Sequence, residues 1–181
     1  MLQSFFYVKK SKKSNKHIYN VGQKGYNVGT NGGKWGKTMF FIGTYNHNLD
    51  EKNRVTMPSR LRDKLGAIVY VTLGLDKCLA IYPEETFMQI ASSLSKASSL
   101  QSDNRGYKRT FFSNSYECEI DKQGRIKLSS ELCEKCSITK DVVVIGVDDH
   151  VEIWDREQHK EMSKRNDDNY EAYASKISYG E

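Results

Sequence analysis

The sequence predicts an α+β fold made of two tandem β-β-α-β-β units, with helices connecting the units and following the second. The main observation is an internal repeat: segment 49–58, Leu-Asp-Glu-Lys-Asn-Arg-Val-Thr-Met-Pro, returns 71 positions later at 120–129 as Ile-Asp-Lys-Gln-Gly-Arg-Ile-Lys-Leu-Ser. A self-similarity of this length indicates repeated structural units. Apolar residues at every second position in both copies indicate strands that are buried on one face.

Each copy of the repeated segment predicts a tight turn between two strands. The residue before the arginine is Asn53 in the first copy and Gly124 in the second, and both types tolerate the positive φ angle of a short bulged hairpin. The aspartate that opens each turn can accept backbone N–H groups and pair with the arginine, Arg54 or Arg125. One such motif would indicate only turn chemistry and a surface ion pair worth less than about 1 kcal/mol. Two copies at matched positions favour a function for the turns.

The repeat divides the chain into five parts. These are a Lys-, Asn- and Gly-rich extension at 1–38, a first repeat at 39–82, a helical connector at 83–115, a second repeat at 116–155 and a C-terminal helix at 156–181. The first repeat is predicted to contain a hairpin with strands at 40–48 and 54–57, a two-turn helix from Pro58 to Gly66, and two strands at 68–73 and 78–82.

The second repeat is predicted to follow the same order. Its elements are a hairpin at 116–120 and 125–128, a helix capped by Ser129 that ends near Cys136, and strands at 142–147 and 151–154. The offset between the copies rises from 71 to 72 after the helix, which indicates one inserted residue before the third strand. The segment Asp155–Gln158 predicts a capping box at the start of the C-terminal helix.

The segment Phe41–Tyr45, leading into Asn48–Pro58, resembles the opening of the MraZ family of bacterial transcriptional regulators, which act on the division and cell-wall gene cluster. The second motif, Asp121–Arg125, stands where that family has its second copy. The resemblance covers residues 39 to about 155 and implies two AbrB-like swapped-hairpin repeats, also described as a double-split barrel. The family usually has glycine where this chain has Asn53, and asparagine tolerates the same backbone geometry.

The resemblance implies sequence-specific binding of double-stranded DNA, at direct repeats in the protein's own promoter, by protomers closed into a ring. Direct repeats fit a ring, whereas a two-fold dimer favours a palindrome. The first turn and its helix carry more cations than the second, so Arg54 is expected to read bases and Asp50 to orient it. The other candidate DNA-contacting residues are Lys52, Arg60, Arg62, Lys64, Asp121, Lys122 and Arg125, with Lys127 beside the second turn.

Positive charge is concentrated at the N-terminus. The chain has a net charge of +5, and residues 1–38 contain eight Lys and no acidic residue, so residues 39–181 carry −3. This distribution does not support a uniformly basic DNA-binding surface on the repeats, so any DNA site there must gather its cations locally. Residues 1–38 are predicted to be a disordered extension. An upstream start choice and a basic arm that follows DNA phosphates are the alternatives.

The composition predicts a cytoplasmic protein, and the DNA binding that the resemblance implies adds the expectation that it is nucleoid-associated. No apolar run approaches the roughly 20 residues of a membrane span, and four cysteines without an export signal indicate reduced thiols. Two of them form a Cys133-x-x-Cys136 motif. The repeat aligns Cys136 with Leu65 and Cys133 with Arg62, which predicts a core residue and a surface residue rather than a metal site.

No catalytic pattern is found in the sequence: it lacks a nucleophile with a base, a phosphate-binding loop and paired catalytic carboxylates. The chain is therefore predicted not to be an enzyme and to have no cofactor, metal or small-molecule substrate. Two alternatives stay open. One is a ring that binds other proteins and no DNA, which a salt-dependent gel shift distinguishes. The other is a metal-dependent enzyme built on the cysteines, which zinc analysis distinguishes.

Overall fold

The computed structural model describes residues 40–177, so the predicted extension at 1–38 lies outside the described residues. Its strands are β1 (Phe41–Asn48), β2 (Arg54–Thr56), β3 (Ile68–Leu73), β4 (Leu79–Pro83), β5 (Tyr116–Glu119), β6 (Arg125–Lys127), β7 (Asp141–Asp148) and β8 (His150–Asp155). Its α-helices are α1 (Ser59–Leu65), α2 (Glu84–Lys96), α3 (Ser102–Ser113), α4 (Ser130–Lys135), α5 (Arg156–Asp168) and α6 (Tyr170–Ala174). The predicted α+β class and the β-β-α-β-β order of both repeats are confirmed.

The two repeats exchange their first strands. Six strands form one antiparallel sheet in the order β1-β7-β8-β4-β3-β5, and the short strands β2 and β6 form a separate two-stranded ribbon. Strand β1 of the first repeat thus pairs with β7 of the second, and β5 of the second repeat pairs with β3 of the first. The interlocking explains how two small units share one core, since neither repeat alone covers its own sheet.

The predicted local hairpins are wrong in their pairing. Strands β1 and β2 share no ladder, and neither do β5 and β6; only the turn itself closes locally, where the Asp50 N–H donates to the Arg54 carbonyl at 3.0 Å. Alternating apolar residues determine which face of a strand is buried, but they do not identify its partner. The swapped-hairpin arrangement implied by the family resemblance is the one observed.

The core lies between the inner face of the six-stranded sheet and the β2–β6 ribbon. Fully buried side chains reach it from both repeats, including Val55 and Ile126 of the ribbon and Val144 and Ile153 of the sheet. The outer face of the sheet is covered by helices: Phe87 of α2 stacks on Tyr70 of β3, with ring centroids 4.3 Å apart. The ribbon is therefore on the side of the sheet opposite α2 and α5.

Left-handed backbone positions recur in the two repeats and confirm the internal symmetry. Gly66 has a φ of 84°, and Ser137, 71 positions later, has a φ of 51°. Asp76 and Asp148, 72 positions apart, have φ angles of 59° and 56°. The predicted inserted residue therefore lies between Ser137 and Asp148, after the short helix of the second repeat.

The start of α5 shows half of the predicted capping box. The Asp155 carboxylate accepts the Glu157 N–H at 3.1 Å, as a capping residue should. The Gln158 side chain does not return to the backbone of Asp155. Its amide donates instead to the carbonyl oxygens of Cys136 at 3.0 Å and Ser137 at 3.3 Å, so it ties α5 to the end of α4.

The prediction that Cys133 is a surface residue is wrong. Cys133 is buried in the core, as is Cys136. The aligned Arg62 of the first repeat extends its long side chain over Gly124, whereas the short Cys133 side chain stays within the core. The alignment of the repeats correctly identifies equivalent positions on the two helices. It does not predict burial, because a long side chain and a short one at the same position end in different places.

Within residues 40–177, every helix is too short or too polar to cross a lipid bilayer.

Candidate nucleic-acid interface

The β2–β6 ribbon brings the turns of both repeats onto one surface. Its central pair, Val55 opposite Ile126, is fully buried in the core. Because side chains alternate along a strand, the flanking positions point away from the core. These outward positions are Arg54, Thr56, Arg125 and Lys127.

The outward face of the ribbon carries three cations close together. Arg54 lies directly opposite Lys127, and like charges at opposed positions are destabilising. Arg125, opposite Thr56, adds a third cation to the same short face. The outward face of the ribbon therefore gathers three cations within a short span, a charge pattern that suits an anionic partner.

In the first turn the Asp50 carboxylate organises the backbone. Its Oδ1 atom accepts the N–H groups of Lys52 and Arg54, each at 2.9 Å. The Asp50 carbonyl accepts the Asn53 N–H at 2.9 Å, and Asn53 takes the predicted left-handed conformation with a φ of 54°. The turn is thus fixed by its own hydrogen bonds.

The second turn repeats this geometry. The Oδ1 atom of Asp121 accepts the N–H groups of Gln123 at 2.8 Å and Arg125 at 2.9 Å. Gly124 takes the left-handed position with a φ of 75°. The two turns are therefore structural equivalents, as the repeated motif predicts.

Each arginine lies back along its turn instead of protruding. The Nε and Nη2 atoms of Arg54 both contact Asp50 Oδ2 at 2.7 Å, and the same atoms of Arg125 contact Asp121 Oδ2 at 2.8 Å. The two arginine side chains are 28% and 24% exposed. A guanidinium has five N–H donors, so this side-on contact leaves the outer, end-on pair of donors open.

The two turns also lie next to each other. The Nη1 atom of Arg125 is 3.8 Å from Asp50 Oδ2, the carboxylate oxygen that holds Arg54. Each turn is further supported by a helix of the other repeat: Asn53 donates from Nδ2 to Ser130 Oγ at 2.9 Å. The two motifs therefore form one continuous site and not two independent ones.

Arg62 of α1 covers the second turn. A Cβ atom at Gly124 would lie 2.1 Å from Arg62 Nη1, so the absence of a side chain at Gly124 lets the guanidinium pack there. This contact brings a cation of the first repeat to the turn of the second.

The hydrogen bonds at the turns lower the pKa of both aspartates. Bonds from the Arg125 side chain and backbone lower the pKa of Asp121 to about 2. Around Asp50, burial acts in the opposite direction, but hydrogen bonds from the backbone and side chain of Arg54 outweigh it and lower the pKa. Both carboxylates are therefore ionised at neutral pH and hold the guanidiniums electrostatically.

The lowered pKa of Asp121 predicts a loss of stability in acid. Because its folded-state pKa lies below the ordinary value of 3.8, its contribution is complete above about pH 4 and is lost as the pH falls toward 2. Thermal melting from pH 7 to pH 2 should show a steeper acid decline for the wild type than for Asp121→Asn. Asp168→Asn, at the exposed end of α5, should keep the wild-type profile. Parallel curves for wild type and Asp121→Asn would contradict the assignment.

The structure brings together only part of the predicted site. Lys52 and Lys122 are exposed at the tips of the two turns, and Arg60 is exposed on α1. Lys64 is directed elsewhere, because its Nζ atom donates to the Phe40 carbonyl at 2.6 Å, just before β1 begins. Its ammonium is therefore held at the far end of β1 from the first turn.

Sequence reasoning missed Thr56, which lies on the outward face of the ribbon opposite Arg125. Lys127, expected only beside the second turn, lies on the same outward face, opposite Arg54. The alternation Arg54-Val55-Thr56, repeated in the second copy, was the available signal, since it places the first and third residues on the same face.

The cysteines have the environment of structural thiols. Burial raises the pKa of Cys136 to about 11 and also raises the pKa of Cys133, which disfavours the thiolate that metals and oxidants require. All four cysteines are free. Among residues 40–177, no three His, Cys, Asp or Glu side chains are grouped as metal ligands.

The exchanged strands, the paired Asp–Arg turns and the shared ribbon define a two-repeat protein of the AbrB-like swapped-hairpin class. The MraZ family model, described as "MraZ protein" and "antitoxin-like", matches this chain twice, at residues 40–110 and 111–178. The chain belongs to the MraZ family.

Curated relatives cover the same region. A protein of Clostridium tetani is 44% identical over 138 residues, which are 76% of this chain and 96% of the relative. A protein of Moorella thermoacetica is 41% identical over 137 residues, with the same shares. A protein of Mesoplasma florum is 40% identical over 143 residues, 78% of this chain and 98% of the relative. Each of the three is named "Transcriptional regulator MraZ".

Proposed function

We propose that this chain is a transcriptional regulator that binds double-stranded DNA sequence-specifically as a ring-shaped homo-oligomer. Its target is a set of tandem boxes in direct orientation upstream of the division and cell-wall gene cluster. Family membership and the names of the relatives support the regulatory role. The geometry of the ribbon supports contact with DNA through the Asp–Arg turns.

One observation carries the proposal: the β2–β6 ribbon presents cations from both repeats on a single outward face. The major groove of B-DNA is about 12 Å wide and admits a two-stranded ribbon. The ribbon has only three residues in each antiparallel strand and one turn at each end, so its short outward face can lie in the groove. Lys52 and Lys122 at the turn tips then lie beside the phosphates.

The side-on Asp–Arg contact suits the reading of guanine. Asp50 occupies the Nε and Nη2 edge of Arg54 and leaves the end-on donors for the O6 and N7 acceptors of guanine. Asp121 holds the same edge of Arg125, whose Nη1 atom also lies 3.8 Å from Asp50 Oδ2. Because each guanidinium is held before DNA arrives, little side-chain entropy is lost on binding. The aspartates act as positioning residues and the arginines as base-contacting residues.

A ring solves the problem of few contacts per protomer. A single ribbon with three cations and two turn lysines can neutralise only a handful of phosphates, which gives weak binding at physiological salt. Several protomers in one ring present the same ribbon at a fixed spacing, so each bound box raises the effective concentration of the next ribbon. Direct repeats of one box match this arrangement.

Gel shifts on the chain's own upstream region test the proposal. The expected result is protection of tandem boxes in a footprint, with affinity at least about 10³-fold above a scrambled sequence of equal length. The salt dependence should be steep, because contacts from several protomers release counterions together. Lys96→Ala, at the end of α2 on the opposite side of the sheet, is the control and should bind like the wild type.

Equal binding to boxes and scrambled DNA would contradict sequence-specific reading. Absence of any DNA binding, with an intact oligomer, would favour the alternative of a ring that binds other proteins.

A further inference from the structure

The six-stranded sheet ends in two strands that are equivalent by the internal repeat but differ in charge. Within residues 40–177, β1 and β5 each have a neighbour on one side only. The outer-face residues Asn46 and Asn48 of β1 correspond, 71 positions later, to Glu117 and Glu119 of β5. Unpaired strand edges readily pair with another chain, so the chemistry of these two edges decides which contacts are favourable.

The β5 edge is acidic. Glu117 and Glu119 are exposed and lie on the outer face, where Tyr70 donates its hydroxyl to Glu117 Oε2 at 3.1 Å. Glu84, at the start of α2, acts on the same tyrosine: after burial, these two carboxylates are what raise the pKa of Tyr70. Three carboxylates therefore gather at this end of the outer face.

The β1 edge borders a basic groove on the same outer face. The groove has a volume of about 540 Å³ and runs between α5 and the paired residues Asn46 and Val143. Three cations of α5 line it, namely Arg156, Lys160 and Lys164, with His159 between them and Asp167 and Asp168 at its far end.

Arg156 at the head of this groove is incompletely satisfied. It corresponds, 72 positions on, to Glu84 of the acidic edge, so the charge is reversed between equivalent positions. Its Nη1 atom is 3.4 Å from Asp141 Oδ2, and its Nε atom is buried without a hydrogen-bond partner among the described residues. The side chain as a whole is 41% exposed, so its outer guanidinium nitrogens can donate to a further acceptor in the groove.

We propose that the β5 edge of one protomer docks beside β1 of the next, so that Glu117 and Glu119 enter the groove below Lys160 and Lys164. This inference rests on the proposed ring and identifies the surfaces that close it. Asn46 and Asn48 of β1 and Glu117 and Glu119 of β5 all lie on the outer face of the sheet. When β5 of a neighbouring protomer extends the sheet beside β1, its two glutamates therefore face the same side as helix α5. The two surfaces lie at opposite ends of the sheet, as head-to-tail assembly requires.

The same charges exclude the competing contact. Two β5 edges packed against each other would oppose Glu117 and Glu119 to their own copies, which is unfavourable. Two β1 edges would bring two basic grooves together. Only the pairing of a β5 edge with a β1 edge joins opposite charges. The charge difference between the two repeats therefore favours head-to-tail assembly over a two-fold dimer.

Charge exchange tests this interface without DNA. In one variant, Lys160→Glu and Lys164→Glu make the groove acidic; in a second, Glu117→Lys and Glu119→Lys make the β5 edge basic. Each variant alone has two like-charged edges and should sediment as a monomer, in contrast to the wild-type oligomer. In an equimolar mixture, the acidic groove of the first variant can bind the basic β5 edge of the second, and the basic groove of the second can bind the acidic β5 edge of the first. The mixture should therefore regain the wild-type sedimentation coefficient.

A chain with all four substitutions is the matched control for folding. It carries every change of both variants but has complementary edges again, so it should assemble alone. The proposal is overturned if the wild type is monomeric, if either double variant assembles alone, or if neither the mixture nor the fourfold variant reassembles.

The ribbon is untouched in all of these variants, so DNA recognition is scored separately. The double variants should still distinguish a single box from scrambled DNA, although more weakly than the oligomer. If the variants assemble as expected but do not distinguish a single box from scrambled DNA, the proposed DNA recognition is contradicted while the proposed interface is still supported.

Discussion

Replacing Arg54 by lysine is expected to lower the affinity for the promoter boxes about 10- to 100-fold and to leave binding to scrambled DNA nearly unchanged. Lysine keeps the positive charge, so attraction to phosphates is retained. It lacks the planar fork, and a bidentate contact to guanine is worth about 1–3 kcal/mol of discrimination. The ratio of box to non-box affinity, measured by gel shift at two salt concentrations, isolates this loss.

Arg125→Lys should behave in the same way, because the two turns have matching geometry on one ribbon. Arg54→Ala should weaken binding to both kinds of DNA, since it also removes the charge. Thermal melting of these variants separates recognition from folding. If Arg54→Lys melts far below the wild type, the Asp–Arg pair is structural, and the assignment of Arg54 as a base-contacting residue fails.

Replacing Gly146 by alanine is expected to destabilise the fold by about 3 kcal/mol, because overpacking against rigid atoms cannot relax. A Cβ atom at Gly146 would lie 2.4 Å from the backbone nitrogen of Ile42 and 2.5 Å from the carbonyl carbon of Phe41. Strand β1 would have to move away from β7, against a ladder that runs the full length of both strands. For a domain of this size the melting temperature should fall by roughly 6–12 °C.

Gly106→Ala is the matched control, and it should stabilise the fold slightly where Gly146→Ala destabilises it. Gly106 lies inside α3, and nothing lies within 4 Å of a Cβ atom placed there. Alanine in an exposed helix is favoured over glycine by about 0.5–1 kcal/mol, so the melting temperature should rise slightly. A Gly146→Ala protein that melts at or above the wild type would show that β1 adapts easily, contrary to the close contact.

The elements of the fold were predictable because their signals are local. The repeat, the alternation around Val55 and Ile126, and the left-handed positions at Asn53 and Gly124 all lie within short segments. The structure has strands and turns at these places. The same local chemistry predicted that each Asp would meet its own Arg.

Partners distant in the chain were not predictable from those signals. Alternation cannot show that β2 pairs with β6, because any strand with the same period satisfies it. The reach of long side chains is equally nonlocal: Arg62 crosses to Gly124, and Lys64 turns to Phe40. The sequence indicates which cations are available, and only the packing shows which of them surround one ribbon and its turns. These six are Arg54, Arg125, Lys127, Lys52, Lys122 and Arg62.

The exchange of strands between repeats has a consequence for synthesis on the ribosome. Phe41 finds its partner in Asp148, more than a hundred residues later. At an elongation rate of about 5–20 residues per second, the nascent β1 waits roughly 5–20 s before β7 emerges. During that interval its apolar side chains are uncovered, and a neighbouring nascent chain on the same messenger can supply the missing strand. Cotranslational entanglement of two chains is thus a direct hazard of this topology.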